Sequence, residues 1–188
     1  MNRSARPGLF DTTVGFDDPL EILLACHRRI ERFLDTLARL HEHVQARGVD
    51  AEASRAAQSL LGYFMKAALD HQEDEERDLL PLIESRIRDG DERVRFAVFR
   101  ARLEQDHREI EGLWSRLRKP LEGIAEGFTR TIPASAVHEF SAKYRKHIAE
   151  EETALQEFFR RWLTAADRRA LGRSMSARRS VTRPGLKR

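Results

Sequence analysis

Residues 71–79 read HQEDEERDL and residues 147–155 read HIAEEETAL. Each segment begins with a histidine, and a glutamate follows four positions later, at Glu75 and at Glu151. Residues four apart lie on one face of an α-helix, on successive turns. Both pairs fall within stripes of apolar residues, where a carboxylate is unfavourable unless it is paired or binds a metal. The two segments therefore predict helices that carry polar ligands into a core.

Apolar residues recur at steps of three and four through four long segments, which is typical of amphipathic helices. The ends of these helices follow from capping residues, prolines and glycines. The predicted helices run from Asp17 or Asp18 to Gly48, from Asp50 towards Gly90 with a kink at Pro81, from Asp91 to just before Pro120, and from 133–135 to Trp162.

No segment alternates apolar and polar residues as a strand does. The sequence therefore predicts an all-α fold, an antiparallel up-and-down four-helix bundle with a short extra C-terminal helix. Thr164 and Asp167 have the spacing of a capping box for that last helix. We expect an irregular N-terminal arm at 1–16, the bundle at 17–163, and a short helix with a basic, disordered tail at 164–188.

The composition suits one domain of amphipathic helices, because 40% of the 188 residues are hydrophobic and 35% are charged. The single cysteine, Cys26, excludes an internal disulfide and agrees with a reducing compartment. Residues 1–16 lack the apolar region of a signal peptide, and no run of about 18 apolar residues could form a membrane span. We therefore expect a cytoplasmic protein with no membrane partner.

The net charge of +3 comes from the C-terminus, where eight basic residues and no acid follow Asp167. A basic tail can attract nucleic acid, acidic proteins or anionic lipid by charge alone. No aromatic residues alternate with the arginines as a base-stacking surface requires, so nucleic acid is not the expected partner. A protein partner or a homo-oligomer is left open.

A histidine interrupts each of the four stripes at a core position, at His27, His71, His107 and His147. At about 1.5 Å of rise per residue, helix 1 climbs about 30 Å from its histidine to its end, and helix 2 takes almost the same distance to reach its own. The remaining two match to within about a turn in an up-and-down bundle with short connections. All four imidazoles are therefore predicted to lie in one layer.

This layer also receives the two glutamates, which gives a set of six candidate metal ligands. Imidazole nitrogens and carboxylate oxygens suit iron, manganese or zinc, and the lack of thiolates argues against an iron–sulfur cluster. Glu111 lies on the face of His107 and is either a seventh ligand, an outer hydrogen-bond acceptor or a solvated residue. The six are His27, His71, Glu75, His107, His147 and Glu151.

Four other features have simpler readings. His41 lies about 21 Å from His27 by helical rise and cannot share its site. His43 and His138 fall off the stripes and are expected at the surface. Tyr144 either packs in the core or donates a hydrogen bond to a metal ligand or a bound molecule. Outside the two ligand glutamates, the acidic runs around them, namely Glu73, Asp74, Glu76, Glu150 and Glu152, are expected to be solvated.

The order of these residues resembles the hemerythrin HHE cation-binding family. The segments that carry the resemblance are DPLEILLACHRRIERFLDTL at 18–37, HQEDEERDLLPLI at 71–83, LEQDHREIEGLW at 103–114 and YRKHIAEEETAL at 144–155. With the helices around them they cover roughly residues 17–163. The resemblance implies a non-haem site of two iron ions, bridged by Glu75 and Glu151 and completed by the four histidines.

The chain departs from the oxygen-carrying hemerythrins at two points. They have a second histidine one turn after the third-helix ligand, where this chain has Glu111, and they end the last motif with His-x-x-x-x-Asp, where this chain has Glu151. A missing imidazole implies a more open iron, which argues against simple oxygen carriage. The six-residue set is closer to bacterial proteins linked to nitrosative stress and iron–sulfur cluster repair, which usually carry a further cysteine-containing domain.

The sequence thus favours a metal-binding protein that binds or senses dioxygen, nitric oxide, peroxide or iron. One alternative is a di-iron enzyme of oxidative or nitrosative stress defence or of cluster repair. Another is a structural bundle that holds zinc. No side-chain pattern supplies a nucleophile beside a base or a phosphate-binding loop, so no catalytic residue is predicted apart from the metal ligands.

Overall fold

The computed structural model describes residues 18–129 and 131–181, and every regular element within them is helical. The helices are α1 (Pro19–Arg47), α2 (51–86), α3 (Gly90–Ala125), α4 (Ala134–Trp162) and α5 (Ala165–Val181). No strand occurs in these residues, which confirms the all-α class. The predicted arm at 1–16 lies outside the described residues. None of the described helices is long and apolar enough to span a membrane.

Side-chain caps fix the starts of three helices. The Asp18 carboxylate accepts a hydrogen bond from the Leu20 amide at 3.0 Å, and Asp50 accepts from two amides of the first turn of α2. Gly48 ends α1 at a φ of 78°, which glycine adopts without steric cost. The expected cap of α3 was wrong by two residues, because Asp89, not Asp91, accepts the hydrogen bond from the Glu92 amide.

Helix α2 is continuous from 51 to 86 but contains two π-helical turns, Tyr63–Ala67 and Asp74–Leu79. A π turn is wider than an α turn and is often found at functional sites. The buried face of α2 advances mostly by steps of four, which wider turns bring back into line. Its buried members are Leu60, Phe64, Ala68, His71, Glu75 and Leu79. The helix also continues through Pro81, which follows the second π turn directly.

Helix α3 does not end before Pro120, contrary to expectation, and runs on to Ala125. A proline inside a helix removes one backbone hydrogen bond and costs about 3 kcal/mol. Leu117, Leu121 and Ile124 are fully buried on either side of it. Burying such side chains contributes about 1.5–3 kcal/mol each, which is enough to carry the helix past the proline.

Each long helix packs against the next one along the chain, and α4 also packs against α1, in opposite directions. The start of α2 meets the end of α3, where Ser54 Oγ donates to the Ile124 carbonyl at 3.0 Å. The end of α2 meets the start of α3, where Arg100 pairs with Glu84 at 2.7 Å. The same opposed order relates α3 to α4 and α1 to α4, through Arg95–Glu157, Arg116–Glu139, Asp35–Arg145 and His27–Glu152.

The core consists of two apolar clusters with a polar layer between them. One cluster contains Ile30, Ala68, Ile110 and Tyr144, and the other contains Leu23, Leu79, Leu103 and Leu155. On every long helix the buried histidine lies between a member of the first cluster and a member of the second. The polar layer therefore crosses all four helices at one level, as the helical rise predicted.

The C-terminal segment differs from the expected short helix and disordered tail. Residues 165–181 form α5, which packs on α1 and on the second π turn of α2. Leu171 and Met175 are buried in the second apolar cluster. The predicted capping box is present, with Thr164 Oγ1 and its amide donating to Asp167 Oδ2. The end of the predicted tail, 182–188, lies outside the described residues.

Candidate metal centre

The six predicted ligands lie together in the polar layer, and all of them are buried. His27 comes from α1, His107 from α3, and the two His-x-x-x-Glu pairs from α2 and α4. None is more than 5% exposed, and Glu75 is completely enclosed. A buried carboxylate that is not neutralised is strongly unfavourable. The layer therefore needs either protonated histidines or a cation.

Each glutamate lies between one histidine of its own helix and one of another helix. Glu75 Oε1 is 2.9 Å from His71 Nε2, and its Oε2 is 3.2 Å from His107 Nε2. Glu151 Oε2 is 3.2 Å from His147 Nε2 and 3.4 Å from His27 Nε2. Both carboxylates thus connect the two sides of the layer.

The nitrogen and oxygen atoms fall into two groups that share Glu75. One group contains His27, His71, Glu75 and Glu151, and the other contains Glu75, His107 and His147. Within each group, one potential ligand atom per residue lies within 4.8 Å of the others. The rings also pair in this way, since the centroids of His27 and His71, and of His107 and His147, are each 4.8 Å apart. Each group could hold a metal ion, and Glu75 belongs to both.

The close contacts in the layer are not aligned as hydrogen bonds. Among the described residues, Nε2 of His27, His71 and His107 and both carboxylate oxygens of Glu75 and Glu151 are buried without a hydrogen-bond partner. Buried polar atoms are almost always hydrogen-bonded in folded proteins. A cluster of inward-pointing nitrogens and oxygens without such partners fits metal coordination better than a structural network.

Two further glutamates orient the histidines from outside the layer. Glu152 Oε1 accepts from His27 Nδ1 at 3.0 Å, and Glu76 Oε1 accepts from His107 Nδ1 at 2.6 Å. Such outer carboxylates fix the tautomer of a ligand histidine and present its other nitrogen to the metal. The expectation that Glu76 and Glu152 are merely solvated was wrong. The repeated His-x-x-x-Glu-Glu pattern in α2 and α4 is the sequence signal that indicates them.

The other two histidines have different neighbours. The Cys26 sulfur lies beside His71, and Asp106 Oδ2 is 3.7 Å from His147 Nδ1. Lys143 Nζ pairs with the other oxygen of Asp106 at 2.5 Å. His27 and His71 thus have a carboxylate and a sulfur as their outer neighbours, whereas His107 and His147 have two carboxylates.

The charges within the metal-free layer shift the pKa values of the ligands. Burial by itself lowers the pKa of His107, but the Glu75 and Glu76 carboxylates raise it to about 9. Burial also lowers the pKa of His71, but Glu75 and Cys26 hold this pKa well above its ordinary value. The pKa of Glu75 is well below its ordinary value, because the two histidines outweigh burial. Protons thus occupy the metal-free layer where a cation would bind.

The remaining candidate residues lie outside both groups. Glu111 is exposed on α3 and does not join the six. His138 is exposed, as expected, and His41 is half-buried at the far end of α1. His43 belongs to a separate group at the turn between α1 and α2, with the exposed carboxylates of Asp50 and Glu52. That group is a surface cluster held together by the cap of α2.

The expected solvation of the acidic run in α2 also fails at one residue. Asp74 is completely buried and is paired with Arg178 of α5. The neighbouring Glu73 and Asp78 contact the same guanidinium. The run is thus divided, with Glu75 and Glu76 directed to the histidines and Glu73, Asp74 and Asp78 directed to α5.

A small cavity of about 30 Å³ adjoins the layer between α2, α3 and α4. A volume of this size holds about two molecules of the size of water. Tyr144 lines it one turn before His147, with a distance of 6.1 Å between the ring centroids. Exposed Glu111 also borders the cavity, and its other walls are Phe64, Ala68, Leu69, Gln72, Ile110, Trp114 and Phe140.

A family model of the hemerythrin HHE cation binding domain matches residues 18–159, which include all six residues of the layer. The chain belongs to this family. The matched segment thus covers α1, α2, α3 and α4 as far as Phe159, and α5 lies after it. The chain is also 30% identical over 166 residues to an uncharacterized protein of Haemophilus influenzae (strain ATCC 51907 / DSM 11121 / KW20 / Rd), which covers 88% of this chain and 92% of that protein.

Membership of the hemerythrin HHE family gives the buried layer a general function. Domains of this family bind cations, and the two groups of buried histidines and glutamates are the residues here that could hold metals. In the group at His43 the two carboxylates are exposed and the histidine is half-buried. Cation binding by the polar layer is therefore the starting point for a specific proposal.

Proposed function

We propose that this hemerythrin domain is a non-haem di-iron protein that binds or senses a small molecule such as dioxygen, nitric oxide or peroxide. The opposed helix pairings support an up-and-down four-helix bundle as the scaffold. The proposed ligands are His27 and His71 for one iron and His107 and His147 for the other, with Glu75 and Glu151 as the carboxylates between them.

One observation carries the proposal, which is the position of Glu75. Its two oxygens lie within 3.2 Å of histidines on opposite sides of the layer, and it belongs to both candidate groups. A carboxylate between two groups of imidazoles is the arrangement expected of a bridging ligand. A single-ion site would not need the second pair of histidines.

The donor atoms support iron as the metal. Nitrogen and carboxylate oxygen donors without a thiolate suit iron, and also manganese or zinc. Bound iron would supply reversible ligand binding and one-electron chemistry. The side chains contribute orientation, since Glu76 and Glu152 hold the Nδ1 protons of His107 and His27, so that Nε2 faces the metals.

The cavity beside Tyr144 supports a ligand of about two heavy atoms. Its volume of about 30 Å³ suits a small molecule, and most of its walls are apolar or aromatic. Such walls favour a small, weakly polar molecule. Tyr144 is the only hydroxyl among its lining residues and could donate a hydrogen bond to such a ligand.

Metal analysis after anaerobic loading with Fe(II) tests the proposal. We expect about two irons per chain and, after exposure to air, the near-ultraviolet charge-transfer absorption of a ferric pair. Glu75→Ala should lose both irons, because Glu75 is shared. His43→Ala is the matched control, since it removes a histidine from the exposed surface group and should leave iron content unchanged.

Less than one iron per chain in the wild type would overturn the proposal. Preferential retention of zinc or manganese from cells grown with all three metals would refute iron as the physiological metal. Rapid repeated turnover of peroxide or nitric oxide with a reductant would identify an enzyme in place of a binding protein. The cytoplasmic location expected from the single cysteine stays a prediction.

A further inference from the structure

Helix α5 lies beyond the part of the chain that the family model matches, yet it packs against the segment that carries Glu75. It contacts α1 and the π turn Asp74–Leu79. Leu171 is 3% exposed and Met175 is completely buried, and both belong to the same apolar cluster as Leu79. Helix α5 is therefore an integral part of this end of the core.

The guanidinium of Arg178 joins α5 to the acidic run of α2. Arg178 Nη1 donates to Asp74 Oδ1, and its Nη2 donates to Asp78 Oδ2 at 2.9 Å. Its Nε is 3.4 Å from Glu73 Oε2. Ser174 Oγ, one turn earlier on α5, also donates to Asp78 Oδ2 at 2.9 Å. Hydrogen bonds of this charge-assisted kind are stronger than neutral ones and fix geometry.

The contacts of Arg178 lie directly beside the metal layer in the chain. Asp74 and Glu75 are consecutive residues at the start of the π turn, and both are completely buried. Asp74 faces Arg178, whereas Glu75 contacts His71 and His107. Loss of Arg178 would leave the buried Asp74 carboxylate without this cation, which is unfavourable enough to shift the turn. Such a shift would displace Glu75.

We propose that α5 is a brace for the metal centre and that Arg178 is a positioning residue, which holds the π turn of α2 and thereby the Glu75 carboxylate. The inference rests on the proposed function, because it takes Glu75 as a metal ligand. Ordering of α5 and binding of iron then stabilise each other, since linkage between two sites is reciprocal. A state with loosened metals releases α5 and with it the Arg178 guanidinium.

Iron affinity of Arg178 variants tests the positioning role. We expect Arg178→Ala to weaken Fe(II) binding by about 10-fold in competition with a chelator, the lower end of the effect of losing a direct partner of a ligand, because Arg178 acts on Glu75 only through the turn. It should also alter the near-ultraviolet spectrum of the ferric protein. Arg178→Lys keeps the charge and should restore part of the affinity. Arg173→Ala, which removes an exposed arginine of the same helix, is the matched control.

Hydrogen exchange of the full-length wild type gives a second measurement that needs no variant. Amides of 165–181 should exchange more slowly in the iron-loaded protein than in the metal-free protein. The free energy by which iron protects α5 from exchange should equal the loss of iron-binding free energy when α5 is not packed on the bundle.

The outcomes separate the two proposals. If the wild type binds no iron, the proposed function fails. If the wild type binds two irons but Arg178→Ala matches Arg173→Ala in affinity and spectrum, the positioning role fails. Equal exchange of α5 with and without iron would also refute the brace. A lower melting temperature for Arg178→Ala with unchanged iron affinity would show a purely structural contact.

Discussion

Replacing one His–Glu pair by apolar residues should stabilise the metal-free protein while it abolishes iron binding. The substitution is His71→Leu together with Glu75→Met, which keeps the side-chain volumes similar. Both residues are at most 1% exposed, and their contact of 2.9 Å is not aligned as a hydrogen bond. The histidines hold the pKa of Glu75 low, so its charged form is favoured over the neutral one, but apolar side chains of similar volume would avoid the desolvation of both charges altogether. His107 would keep Glu76 as a partner.

The expected gain follows from the energetics of buried ion pairs. Replacing such a pair by well-packed apolar side chains is often neutral or stabilising, by roughly 1–4 kcal/mol. For a protein of this size, each kcal/mol raises the melting temperature by about 2–4 °C. We therefore expect the metal-free double variant to melt above the metal-free wild type, by about 4–8 °C for a gain of about 2 kcal/mol.

The assay is urea unfolding and calorimetry of both proteins with a chelator present. His43→Leu with Asp50→Asn is the control, because the Asp50 side chain is half exposed and asparagine can also cap α2, so the substitution should change stability by less than about 1 kcal/mol. A double variant that is less stable than the metal-free wild type by more than about 1 kcal/mol would show that the layer is a structural network and would refute the reasoning.

Asp167→Ala should lower the free energy of unfolding by about 1–2 kcal/mol in urea titrations, because it removes the cap of α5 and the ion pair with Arg86; an unchanged midpoint would contradict this. Phe64→Ala should cost about 3–5 kcal/mol by the same measurement, since Phe64 is 4% exposed and contacts several aromatic rings, and a loss below about 1 kcal/mol would show that the core collapses around it. Tyr144→Phe should keep both irons and speed nitric oxide dissociation by about 5–10-fold in stopped-flow traces, because one hydrogen bond to the ligand is lost. Equal dissociation rates for the variant and the wild type would show that the Tyr144 ring only packs in the core. The raised pKa of His107, about 9, contributes stability to the metal-free protein that is fully present below about pH 6.5 and lost as the pH rises through 9. Over this range the free energy of unfolding of the metal-free protein should therefore fall, while the affinity for iron, which competes with protons, should rise. A free energy of unfolding and an iron affinity that both rise or both fall with pH would refute the raised pKa of His107.

The helices and the polar layer could be predicted because they depend on short-range patterns. Steps of three and four define a buried face wherever a chain is helical, and the rise per residue then sets the level of each histidine. The position of Glu75 between two histidines could not be predicted from the sequence, because the spacing of residues along a helix does not determine the orientation of their side chains. Glu76 and Glu152, which follow the two ligand glutamates, are visible in the sequence as a repeated feature, but an acidic run of this kind usually faces solvent.

The features that were missed depend on contacts between distant parts of the chain. Continuation of α3 past Pro120 is decided by the burial of leucines against other helices, which outweighs the local preference of proline. The arginine-rich segment was expected to be disordered from its composition, yet Leu171 and Met175 are spaced as one helical face. Its partner Asp74 is about 100 residues away, and no local rule connects them.

The two π turns of α2 also bear on how this helix tolerates changes of length. Each π turn contains one residue more than an α turn between hydrogen-bonded groups, so a deletion of one residue inside it can restore α geometry and leave the flanking faces in phase. An alignment gap of one residue within 63–67 or 74–79 is therefore compatible with the same bundle, whereas the same gap at the middle of α4, which has no such turn, would rotate every later side chain by about 100°.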